Sequence, residues 1–386
     1  VGGKRGGRPP PAARPPAPRA RARHPAPRWK SGPGFGGRPD SSGPGEPRGS
    51  LGGASGEAAP SLEAGCPRPG GSPPGPSGGG ARPPPGAGAG PGGMRGELVR
   101  FGAGRVAFCS GPGPPGPERA LVFVGGLTDG LLATRYVEAL GEELARLDPP
   151  WGLVQPLLSS AYSGFGTSSL ARDADELAEL TRFLRARRGA RVIALAGHST
   201  GCQDAVAYVR SCRSHAHDGW PRLAGVVLQA PVSDREWNDT LPGTLQHLAA
   251  ARALVAAGRG GECLPPAAVF GVPVSAERYL SLYAEGGDDD MFSSDLSAAA
   301  LESRLGHMVD TPALLLFSEA DEYVPDGVDT SALASRIAGA MGPLARSVVV
   351  PRGDHALSEQ ECSEWAIARI GRFVSELAAP GTGTRA

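Results

Sequence analysis

The chain has 386 residues, with 39 Lys plus Arg against 39 Asp plus Glu and a formal net charge of zero. Length alone allows one large domain or two small ones. No run of 18 or more apolar residues occurs, so no membrane span is expected, and no nucleic acid is expected on the folded part.

The chain contains 59 glycines and 40 prolines, and 48 of them fall in residues 1–93. That tract has almost no aliphatic periodicity and is expected to be disordered, because it cannot bury enough apolar surface to offset the entropy of ordering. Its first 30 residues carry Lys4, Arg5, Arg8, Arg14, Arg19, Arg21, Arg23, Arg28 and Lys30 without an acid. Three readings compete for it: an arm for nucleic acid or anionic membrane, an organelle-targeting segment, and translated upstream sequence. No secretory signal is expected, since no apolar core follows the basic start. Residues 94–386 are expected to form one domain. The six cysteines are scattered, fitting neither a zinc site nor a compact disulfide framework, and read as reduced thiols. A cytoplasmic protein is the expectation, with organelle targeting by residues 1–93 as the competing reading.

From residue 94 onward, short β-rich runs alternate with stretches of helical period, which implies a mostly parallel sheet flanked by helices. Residues 105–109 form a weak first strand and 120–124 a continuous buried one, ended by Gly125 and Gly126. A helix is expected over 131–147, a strand over 153–158, and a Ser/Gly-rich loop over 159–169. A second helix, 173–188, carries Leu177, Leu180 and Leu184 on one face. A strand at 191–196 feeds a helix at 200–212. Further strands are expected at 223–228, 312–318 and 346–351, and a closing helix at 361–378.

About eighty residues separate the strands ending near 228 and starting near 312, far more than one crossover helix needs. This excess, about 235–310, is read as a helical cap over the carboxyl ends of the strands. It holds helical stretches at 244–257 and 276–284. Glu285 and Asp288–Asp290 form an acidic cluster that is either a solvated loop or a rim of the pocket mouth.

Residues 191–201 read RVIALAGHSTG. A strand running into Gly197-His198-Ser199-Thr200-Gly201 and then into a helix is the setting of a nucleophile elbow, with Ser199 as nucleophile. Seven histidines are available as base. His24 lies in the Gly/Pro tract, His198 is expected to pack, His215 and His217 to be solvated, and His247 and His307 to sit in the cap. His355 follows the last strand and precedes the last helix, where this architecture places the base. The acid should lie between serine and histidine in chain order. Asp321 fits best, with Glu319, Glu322 and Asp234 as competitors and Asp354 as a loop-former. Oxyanion donors are expected from the N–H of Thr200 and from that of Gly126 or Leu127. No metal or cofactor is required, since no H-E-x-x-H or first-junction G-x-G-x-x-G occurs.

FVGGLTDGL, SSAYSGFGTSSL, AGHSTGCQD, VVLQAPVSDRE and FSEADEYVP together resemble one α/β-hydrolase family. It is found in fungi, plants and algae and includes the fungal fusarinine C esterase, a siderophore hydrolase. The likeness spans most of the chain from Met94 to about Val374, and Gln203 and Asp204 extend the elbow beyond the general motif. The resemblance implies the α/β-hydrolase fold with a helical cap insertion, and an intracellular esterase whose triad is Ser199, Asp321 and His355. The expected partner is a small-molecule ester; a monomer is the default. Acyl transfer or thioester cleavage by the same residues, or a non-enzymatic ligand-binding role, are the alternatives. Epoxide or haloalkane hydrolysis would need a carboxylate at position 199.

Overall fold

The segments VIALAGH, GVVLQ and ALLLFS are almost continuously apolar and buried along their whole length. Strands of that kind need cover on both faces, as the inner strands of a parallel sheet have. The computed structural model describes residues 93–111, 118–215, 219–269 and 271–377, so the Gly/Pro tract lies outside the described residues except for Gly93.

The strands are β1 (Gly96–Phe101), β2 (Arg105–Ser110), β3 (Arg119–Val124), β4 (Gly152–Leu157), β5 (Val192–His198), β6 (Gly225–Gln229), β7 (Ala313–Ser318) and β8 (Ala345–Val350). They pair in the order β1-β2-β4-β3-β5-β6-β7-β8. β1 and β2 are antiparallel to each other, β2 is antiparallel to β4, and all later pairs are parallel. This is the α/β-hydrolase architecture expected from the sequence. β1 is an addition. Only Val99 and Phe101 of GELVRF are buried, so this edge strand carries too few inward apolar residues to register as a pattern.

Helices α1 (Tyr136–Arg146), α2 (Leu170–Arg188) and α3 (Gly201–Ser214) come from the first half of the domain. Helices α4 (Asp234–Asp239), α5 (Thr244–Ala256), α6 (Ala276–Tyr283) and α7 (Ala298–Leu305) follow β6, and α8 (Thr330–Met341) and α9 (Gln360–Ser375) flank β8. One face of the sheet packs on α1 and α9 through Val137, Leu140, Ile370 and Phe373. The other packs on α2, α3 and α8 through Leu177, Val206, Leu333 and Ile337. Helix α8, TSALASRIAGAM, is not among the elements expected from the sequence, because Ala, Ser and Gly blur its apolar stripe. Its start is nonetheless locally encoded: Asp329 Oδ1 accepts the Ala332 N–H at 2.9 Å.

Between β6 and β7 lies the cap. Leu248 and Ala251 of α5, Tyr279, Leu282 and Tyr283 of α6, and Leu264, Val269 and Val274 form a separate small core. Phe165, from a short 3₁₀ turn after β4, joins that core, and Leu127 packs against it. Leu301 and Leu305 of α7 instead enter the main core under the sheet. Among the described residues, no helix is long and apolar enough to cross a membrane.

Candidate active site

β5 ends at His198, and the chain must reverse into α3 within two residues. Ser199 does this with φ of +54°, a left-handed backbone state that costs a non-glycine residue about 1–2 kcal/mol. The flanking glycines make the approach possible. A Cβ on Gly197 would collide with the Gly201 carbonyl, and one on Gly201 with the carbonyls of Val124 and Gly125. Ser199 is left half-buried, next to the amino end of α3.

Across from it stands the loop after β3. A Cβ on Gly126 would lie 2.7 Å from Ser199 Cβ and 3.1 Å from its Oγ, so only glycine fits beside the serine. Of the two donors considered for this loop, Gly126 is already engaged: its N–H donates to Asp129 Oδ2 at 2.8 Å, and the Asp129 N–H returns to the Gly126 carbonyl at 3.1 Å. Gly126 therefore supplies close approach and not a free donor. The N–H groups of Leu127 and Thr200 are engaged by no other described residue.

His355 lies in the loop between β8 and α9, and Asp321 in the loop after β7. Both are buried. Pairing of the two strands aligns the loops, with the Ala320 N–H donating to the Gly353 carbonyl at 2.8 Å. His355 Nδ1 is 3.0 Å from both carboxylate oxygens of Asp321, and Asp321 Oδ1 also accepts the Tyr323 N–H at 3.0 Å. Burial pulls the imidazole downward, but the Asp321 hydrogen bond and charge, helped by Glu322 and Asp234, outweigh it and hold its pKa above the ordinary value. An Nδ1–H donated to Asp321 leaves Nε2 as the basic nitrogen.

The competing acids have other partners. Glu319 accepts the Arg352 N–H at 2.7 Å, and Glu322 the backbone N–H of His355 at 3.0 Å. Asp354 accepts the Ser358 N–H at 2.7 Å, shaping its own loop. Asp234 accepts from the Gln203 amide at 2.9 Å, at the start of α4. Burial, with the Asp289 charge nearby, pushes the Asp234 carboxyl up to about 7.

The Tyr323 ring lies against His355, tilted, with its centroid 4.5 Å away, and Trp237 of α4 packs on Tyr323 at 5.5 Å, also tilted. The remaining histidines lie apart: His215 stacks on Trp220, His247 meets Tyr279 edge-on in the cap, and His307 bonds the Val206 carbonyl at 3.1 Å. His217 falls outside the described residues. His198 is buried and its ring is 5.0 Å from that of His355. Burial first, then the His355 charge, push His198 down to about 3, so it stays neutral.

The acidic run 288–290 is neither a solvated loop nor a charged rim throughout. Asp288 is exposed, whereas Asp289 and Asp290 are buried. Asp289 pairs with Arg278 at 2.6 Å and Asp290 with Arg235 at 3.2 Å. The Arg278 Nε also donates to the Phe165 carbonyl at 3.2 Å, tying α6 to the turn after β4. Sequence reasoning missed three residues of the site, Asp129, Tyr323 and Gln229. None belongs to a motif of the elbow; their partners are set by tertiary contact.

Comparison with known proteins gives a uniform picture. The family model described as protein of unknown function (DUF1749) matches residues 90–375. Fusarinine C esterase sidJ of Aspergillus fumigatus is 32% identical over 303 residues, covering 64% of this chain and 84% of the relative. Esterase AN6793 of Emericella nidulans is 32% identical over 274 residues, 56% of this chain and 72% of the relative. Among solved structures, the siderophore hydrolase EstB from Aspergillus fumigatus superposes with a TM-score of 0.63 at 29% identity, covering 74% of this chain and 98% of that one.

Proposed function

The chain belongs to the DUF1749 family of α/β-hydrolase-fold proteins, and on that premise we propose that it hydrolyses carboxylic esters through an acyl-enzyme on Ser199. The observation that carries this reading is the buried His355–Asp321 pair, bonded through Nδ1 to both carboxylate oxygens, in a chain whose Ser199 occupies the strained elbow.

In this mechanism Ser199 Oγ attacks the ester carbonyl while His355 Nε2 takes its proton. Asp321 holds the imidazole tautomer and stabilises the imidazolium. The carbonyl oxygen gains charge and accepts from the N–H groups of Thr200 and Leu127, reinforced by the amino end of α3. The tetrahedral adduct collapses, the bond to the leaving oxygen breaks, and His355 returns the proton to the alcohol. Water then attacks the acyl-serine while His355 takes its proton; the second adduct collapses with cleavage of the bond to Ser199 Oγ, His355 returns the proton to Oγ, and the acid departs. The preferred substrate in this reading is a siderophore ester of the kind named for the relatives, with fusarinine C first.

A fluorophosphonate probe tests the assignment. One adduct per chain on Ser199, with turnover of an ester panel that includes fusarinine C, is the expected result. Folded protein that takes no label between neutral and mildly alkaline pH removes it.

A further inference from the structure

Gln229 ends β6, a strand whose other residues, Gly225 and Val226–Leu228, are apolar or side-chain-free. It is 1% exposed, in a position where an aliphatic side chain would avoid the cost of burying an amide. Its main-chain carbonyl and both polar atoms of its side chain are engaged, and their partners are informative. The main-chain carbonyl accepts the Ser199 N–H at 3.0 Å and the Cys202 thiol at 3.3 Å. The side-chain Nε2 donates to the His355 carbonyl at 3.0 Å. A carbonyl only accepts, so the amide nitrogen must face His355, and Oε1 then faces the other way. There it accepts from the Tyr136 hydroxyl at 3.1 Å and lies 2.6 Å from His198 Nδ1, which must carry a proton. His198 is the register partner of Gln229 across β5 and β6, and it immediately precedes Ser199.

We propose that Gln229 is a positioning residue that sets the Ser199–His355 spacing, its main chain holding the nucleophile and its side chain the base. The proposal rests on the serine-hydrolase reading of the site. Glu322 completes the hold by accepting the His355 N–H, so both backbone polar groups of the base are tied. His198 and Tyr136 orient the amide. A neutral His198 does this without placing a second positive charge beside the imidazolium that forms on His355.

The test compares Gln229→Leu and Gln229→Glu with the wild type, with kcat counted per fluorophosphonate-labelled site so that misfolded protein drops out. Gln229→Leu should lose about 10²-fold in kcat, with KM changed far less, because a displacement of the base on the ångström scale carries that penalty. A kcat per labelled site within about twofold of wild type overturns the proposal. Gln229→Glu decides the matter if the leucine variant does not fold. When neutral, its carboxyl repeats the amide pattern, one oxygen accepting and the O–H donating to the His355 carbonyl. Ionised, it has no donor. Its kcat relative to wild type should therefore be near one at the acid end, with any fall confined to the alkaline end. A relative kcat below about one-tenth at every pH overturns the clamp. The His355 ring resonances followed by NMR separate the two readings. An unlabelled wild type is a failure of the hydrolase reading, whereas an unchanged His355 titration in Gln229→Leu is a failure of the clamp.

Discussion

The Gly126 N–H donates to the Asp129 carboxylate at 2.8 Å, closing a turn in which the next N–H, that of Leu127, has no hydrogen-bond partner among the described residues. Two substitutions probe it. Gly126→Ala puts a methyl 2.7 Å from Ser199 Cβ and should lower kcat/KM by about 10²-fold or more, comparable with loss of an oxyanion donor. Asp129→Ala releases the turn and should cost about tenfold in kcat, with KM less affected. Steady-state kinetics on a small neutral ester read both. A folded Asp129→Ala protein with wild-type kcat would show that the turn does not organise the oxyanion site.

Ser199, the nucleophile of the proposed mechanism, holds a left-handed backbone state. Ser199→Ala should abolish labelling and turnover while keeping the strained backbone. Ser199→Gly should be equally inactive but more stable than the alanine variant by about 1 kcal/mol, since glycine adopts φ of +54° freely. Urea denaturation of the two variants measures the difference, and equal stabilities would mean that the elbow is unstrained.

The pH dependence follows from His355. In the proposed mechanism the base must be neutral to take the Ser199 proton, so activity should fall as pH drops through its pKa. Asp321 holds that pKa above the ordinary imidazole value, against the effect of burial. The acid limb of kcat/KM should therefore have its midpoint above that of a free imidazole. Asp321→Asn removes the charge and should shift the midpoint down while cutting kcat by about 10⁴-fold, as loss of the orienting acid does in serine proteases. Asp234→Asn should shift the midpoint slightly in the same direction and keep most of the rate. A collapsed rate in Asp234→Asn with a normal rate in Asp321→Asn would transfer the role of the acid to α4.

A buried ion pair lies within the cap. Arg278 is 5% exposed and its partner carboxylate on Asp289 is fully buried. Asp289→Asn removes the carboxylate that Arg278 bonds, leaving only the more distant Asp204 and Asp173 to offset the buried guanidinium, and should destabilise the protein by up to about 3–5 kcal/mol. Replacing both, Arg278→Met with Asp289→Leu, should recover much of that stability because neither charge then needs desolvating. Chemical denaturation of the single and double variants checks the pair, and additive losses would contradict it.

What the sequence determined by itself is what short-range physics controls. The strand-turn-helix elbow is legible in RVIALAGHSTG because the turn must have small flanking residues wherever the chain goes next. The inner strands are legible because burial on both faces demands continuous apolar runs. Edge strand β1 and helix α8 are not, since one exposes most of its side chains and the other is built from Ala, Ser and Gly. Choices among chemically equivalent groups belong to the tertiary structure. Four carboxylates are candidates for the partner of His355, and chain order favours Asp321 without excluding the others. Pairing of β7 with β8 brings the loops of Asp321 and His355 together, and only then does one carboxylate reach Nδ1. The same holds among the candidate donors opposite Ser199: the Gly126 N–H is engaged by Asp129, through a hydrogen bond that composition does not reveal. In the cap, Asp289 and Asp290 look like solvated charge along the chain, and only folding brings Arg278 and Arg235 beside them, where each buried charge meets its opposite.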